Sequence, residues 1–146
     1  MEFADSIAPS LSHTRTYVTG GFKTVGAMVK ALDIVDGVGL ARPTCQEPHF
    51  CKDVLEGKVK GAIKLLLDDN DFGMTNVAAG THIRQISKDQ EPLDLSVEEN
   101  KENFMKDVGV WAEKMAKNSE NNEYGYVDIN STEPVPYGAQ SVAASA

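Results

Sequence analysis

The stretch from Thr16 to Pro43 constrains this chain more than any other. Two short β-prone runs, each closed by small residues, flank a single helix. Tyr17 and Val18 form the first run, which stops at Gly20-Gly21. Thr24 is placed to cap a helix, and Val25, Met28, Val29 and Leu32 recur at helical spacing behind it. Val38 to Leu40 form the second run, ended by Arg42-Pro43. The simplest topology for strand, helix and strand in this order is a parallel pair joined by the helix.

Such a pair carries both strand ends to one edge. Glycines there let backbone N–H groups approach a ligand closely. Arg42 adds a planar fork of donors suited to phosphate. The residues therefore predict an anion site built from Gly20, Gly21, Gly39, Ala41 and Arg42. The bland alternative for the same residues is two tight turns and a surface cation.

Thr19-Gly20-Gly21-Phe22 and Val38-Gly39-Leu40-Ala41-Arg42-Pro43 resemble two motifs of the FMN-dependent old yellow enzyme family, the NADH:flavin oxidoreductases and ene-reductases. The first resembles the end of that family's seventh barrel strand. The second resembles the end of its eighth, except that Ala41 stands where the family has glycine. The close resemblance covers roughly Thr16 to Leu55, and the remainder is more loosely similar to the C-terminal extension of fungal members. It implies an α/β fold, the last two βα units of a (β/α)8 TIM barrel followed by C-terminal helices, with the FMN phosphate held by the two turns as is usual after the last strands of such a barrel. FMN is then the cofactor and NAD(P)H the reductant. The family's ring-tuning residues, its His-His or His-Asn substrate pair and its proton-donating tyrosine come from segments that do not match here. No catalytic residue is named, and the isolated chain is expected to be inactive.

A complete flavin barrel needs about 250 residues, whereas this chain has 146. The expectation is therefore a fragment, with the missing barrel segments or a second copy as partner. A net charge of −8 argues against nucleic acid and anionic membranes. No stretch is long and apolar enough to span a bilayer, and the N-terminus shows no signal peptide, so the cytoplasm is the expected compartment. Cys45 and Cys51 then read as reduced thiols.

Three regions are expected: residues 1–57 with the two βα units and the phosphate site, 58–117 helical, and 118–146 a mostly disordered tail. In the first, Phe3, Ala4, Ile7 and Ala8 pair at (i, i+4) as the end of a helix stopped by Pro9. Thr44 to His49 reads as a turn, and Pro48 as the first residue of a helix reaching Gly57. In the second, Val59 to Leu67 reads as a helix. Phe72 to Ile86 is weakly helical, interrupted by Gly73 and Gly80. Ser96 and Glu99 form a capping box ahead of the best helix, whose face is Phe104, Val108, Trp111 and Met115. In the tail, Tyr124, Tyr126, Val127 and Ile129 make an apolar island able to dock.

Other constellations are weaker. Cys45, His49 and Cys51 lack a fourth ligand and fit no common zinc spacing, so no metal is assigned. Asp71-Phe72-Gly73 has no accompanying ATP loop. Two alternatives to the flavin reading stand: a non-catalytic interaction module that keeps the scaffold, and an unrelated small α/β domain that binds a phosphorylated metabolite.

Overall fold

The computed structural model describes residues 2–120, 122 and 124–139, with side chains described from residue 4 onward. The Phe3 side-chain pairing and residues 140–146 of the expected tail thus lie outside the described residues. The chain divides into two compact units, Met1–Ile63 and Lys64–Ala146.

The first unit opens with α1 (Glu2–Ile7), which passes into a 3-10 turn, Ala8–Ser10, that contains Pro9. Strands β1 (Tyr17–Thr19) and β2 (Gly37–Gly39) are parallel, in the register Tyr17↔Gly37, Val18↔Val38 and Thr19↔Gly39. Helix α2 (Val25–Ala31) connects them, and Thr24 caps it by accepting the Ala27 N–H on its hydroxyl at 3.2 Å. The expected α/β character and parallel pair are present. The rest of a barrel is not: among the described residues the sheet has two strands.

Strand alternation sorts the two faces. Val18 and Val38 pack on a core of Phe22, Met28, Ala31, Val35 and Phe50. On the opposite face Tyr17 lies over Gly37 and Thr19 over Gly39, so closely that a Cβ on either glycine would overlap the side chain above it. The buried stripe of α2 differs from the expected one. Met28 and Ala31 face the core, with Val35 beyond them, while Val29 and Leu32 are exposed. At the far end of the strands, the Asp36 carboxylate accepts the Thr16 N–H at 2.8 Å and pairs with Arg15. Those bonds hold the Asp36 carboxyl below the usual range.

Three local expectations are corrected here. The turn after β2 is a short helix, α3 (Arg42–Gln46), because Pro43 sits in its first turn, where a missing N–H costs nothing. Pro48 precedes the cap His49 of α4 (Phe50–Leu55) rather than starting that helix. Val59 to Leu67 is not helical. Gly61 bridges Thr24, the Val25 N–H donates to Lys60 O, and the Ala62 N–H donates to Lys23 O. These long-range bonds displace the helical ladder. A Cβ on Gly61 would lie 2.7 Å from Lys23 O, so only glycine permits the approach.

The second unit is built on α5 (Phe72–Ile86) and α6 (Glu98–Lys117). Ala78, Leu95, Phe104, Val108 and Val127 form its core, with Trp111 and Ile129 packed alongside. The α6 face follows the expected spacing, but its cap does not. Val97 holds the cap position with no side-chain bond, and the Ser96 hydroxyl donates instead to Asp94 Oδ1 at 2.6 Å. Helix α5 runs unbroken through Gly73 and Gly80. Gly80 is tolerated there because the Tyr126 ring occupies the place of a side chain. The stretch 124–137, read from sequence as part of a mostly disordered tail, forms no helix or strand but packs on this unit and buries Val127.

Candidate functional site

The parallel register puts Thr19 beside Gly39, so the Gly20-Gly21 turn and the Gly39–Arg42 segment leave the sheet at the same end. Gly20 and Gly21 have φ of +108° and +76°, and a Cβ on either would meet nothing within 4 Å. Both residues therefore need glycine for backbone reasons, and the space over them is open to an incoming group. Gly39 is glycine for a different reason, the Thr19 hydroxyl above it.

Ala41 has φ −126° and caps α3. Its carbonyl accepts the Thr44 N–H at 3.0 Å and the Thr44 hydroxyl at 2.8 Å. In a planar trans peptide the N–H opposes the C=O. The Arg42 N–H thus points away from α3 while the exposed Arg42 side chain leaves from its first residue. Five residues of helix make only a weak dipole. The positive character of this end rests on the guanidinium and the strand-end amides.

Gln46, one turn after Arg42, was missed by the sequence reading. It is 8% exposed, and among the described residues neither amide atom of its side chain has a hydrogen-bond partner. Nothing in a single glutamine on a short helix signals this, because the burial comes from surrounding elements. Cys45 donates weakly to Ala41 O at 3.6 Å, and burial pushes its thiol pKa up, which disfavours a reactive thiolate. Cys45 and Cys51 form no disulfide. Among the described residues no three His, Cys, Asp or Glu side chains are grouped to hold a metal, and no helix is long and apolar enough to cross a membrane.

No protein-family model matches the chain. It is similar to a protein of Aspergillus parasiticus described as the NADH-dependent flavin oxidoreductase nadA, with 44% identity over 96 residues. That match takes in 66% of this chain and 22% of the relative, so the chain spans about a fifth of the relative's length. Identity at this level over this length supports kinship with that flavin oxidoreductase.

Proposed function

We propose that this chain is the C-terminal, FMN-phosphate-binding portion of an FMN-dependent NAD(P)H oxidoreductase of the old yellow enzyme type. The observation that carries the reading is the pair of open, left-handed glycines, Gly20 and Gly21, at the strand end shared with Gly39, Ala41 and Arg42. The kinship with a flavin oxidoreductase supports it. The residues fit a phosphate monoester: the backbone over the glycines is accessible, and Arg42 supplies a charged fork. FMN, when bound, supplies hydride transfer from NAD(P)H to an activated alkene or quinone. This chain's own part is to anchor the phosphate and so fix one end of the cofactor. The two βα units are read as the last two of a (β/α)8 barrel, in a cytoplasmic protein. The remaining barrel segments, or a second copy, are the proposed partners. Tyr17, Val29, Leu32 and Leu55, all exposed on the first unit, are apolar surface for such a partner to cover.

Titration with phosphate or FMN tests the site. Arg42→Ala is expected to weaken binding by about 1.5 to 3 kcal/mol, the range for a hydrogen bond to a charged group. Equal affinities for the two proteins would remove Arg42 from the site. The chain alone, given FMN and NAD(P)H without oxygen, is expected to reduce cyclohexenone no faster than free flavin does. Hydride transfer needs the flavin ring held at near-contact distance, which a phosphate anchor does not provide. Robust turnover by the chain alone would overturn the fragment reading.

A further inference from the structure

The stretch 124–138 crosses the second unit without regular secondary structure, yet its first half, residues 125–131, is held at four places. Val127 is 1% exposed in the core. The Trp111 indole N–H donates to Gly125 O at 3.1 Å, and the Tyr126 ring lies on Gly80. Arg84 forms a fork on Asp128, through Nε at 2.6 Å and Nη2 at 2.8 Å, and Lys88 pairs with the same carboxylate. The fourth place is Asp107 on α6, 7% exposed. Its carboxylate accepts the Asn130 N–H at 2.8 Å, the Ser131 N–H at 3.0 Å and the Ser131 hydroxyl at 2.7 Å.

The hydrogen bonds and ion pairs that hold the middle of this stretch come from side chains of α5, α6 and Lys88, not from the helix backbones. Backbone pairing comes only further on, where the Glu91 N–H donates to Val135 O and the Tyr137 N–H to Asp89 O. Releasing residues 125–131 therefore breaks no i→i−4 bond of either helix. Of residues 124–138 Val127 alone is buried, the others being half-buried or exposed, and segments with few buried apolar contacts open at lower free energy than the elements beneath them.

We propose that residues 124–138 are a detachable strap, latched by Asp107, that opens from the face of α5 and α6 while both helices stay folded. Opening takes Val127 out of the core it shares with Ala78, Phe104 and Val108, and it separates Arg84 and Lys88 from Asp128. A cleft of about 420 Å³ already runs beside the strap between Arg84, Lys88, Asn130 and Thr132. This inference is independent of the flavin reading, because every residue in it belongs to the second unit.

Amide hydrogen exchange on the full chain tests the strap. In the wild-type protein the amides of Asn130 and Ser131, both bonded to Asp107, are expected to exchange at least tenfold faster than those of Ala78 and Thr81 in α5 and Trp111 in α6. Asp107→Asn removes acceptor capacity from the latch and is expected to speed the Asn130 and Ser131 amides by about 10- to 100-fold. The α5 and α6 amides should stay within twofold. Ser131→Ala removes one of the three bonds and should give the same pattern at a smaller size. Strap and helix amides exchanging at one common rate in the wild-type protein would overturn the proposal, whether or not either variant folds. So would an equal acceleration of strap and helices by Asp107→Asn.

Discussion

The two units bury a phenylalanine to the same depth and support it differently. Phe50 and Phe104 are each 1% exposed. Around Phe50 the elements are short: three-residue strands and helices of five to seven residues. Around Phe104 they are helices of 15 and 20 residues. Short elements contribute few internal hydrogen bonds per turn fixed, so they depend on neighbours. In the first unit Tyr17 is 72% and Leu55 87% exposed. A parallel pair is ordinarily covered on both faces, and here the Tyr17 face is open. The unit with the candidate site is therefore built from the shorter elements, and the other from two long helices with residues 124–138 laid against them.

The largest test of this contrast uses the single tryptophan, Trp111, which reports on the second unit alone. Phe104→Ala is expected to cost about 3–5 kcal/mol and to lower the tryptophan-detected melting midpoint steeply. Phe50→Ala should leave that midpoint in place and lower only an earlier transition seen by far-UV circular dichroism. Equal shifts of the tryptophan signal by both variants would show one cooperative unit.

The second test is acid. His82 is 2% exposed and its Nε2 has no partner among the described residues. Burial lowers its pKa from 6.5 to about 4, against a backbone bond with Leu93 and the charge of Asp94, which both raise it. The unfolded chain therefore binds the proton first. The second unit should keep full stability above pH 6.5 and lose about 3 kcal/mol as the pH falls from there to about 4. His82→Leu should flatten denaturant midpoints across that window. An unchanged slope in the variant would mean that another group carries the dependence.

The smallest effects concern glycines in helices. Gly80→Ala should destabilise by about 1–2 kcal/mol, because Tyr126 has to move. In a Tyr126→Ala background the same change should become stabilising, by up to about 1 kcal/mol, through helix propensity. Gly109→Ala, with open space around it, should stabilise α6 by a similar amount in either background. A Gly80→Ala effect unchanged by Tyr126→Ala would detach the strap from the explanation of that glycine.

Parts of the candidate site were legible residue by residue, because they are local. A glycine pair after a β-prone run, a threonine cap and an arginine before proline are all read within a few positions. The parallel register then follows from one helix between two strands. Gly39 was legible as a glycine but not for its reason, since the Thr19 side chain that excludes a Cβ lies across the sheet. Gln46 was not legible at all. Its burial depends on what packs around it, which no spacing rule encodes.

By itself the sequence determined the order of elements: the β1–α2–β2 unit, the α6 face at Phe104, Val108, Trp111 and Met115, and the glycine that ends α4 at φ +70°. Each follows from periodicity or from a backbone preference that acts over one or two turns. Tertiary structure decided the rest. It kept residues 60–62 out of a helix by offering Lys23 and Thr24 as partners, and it carried α5 through Gly80 by laying Tyr126 there. It set Val127 into a core assembled from residues far away in the chain. Backbone hydrogen bonds and buried area gained from distant segments outweigh a local propensity of a few tenths of a kcal/mol per residue, and which segments meet is fixed only when the chain has folded.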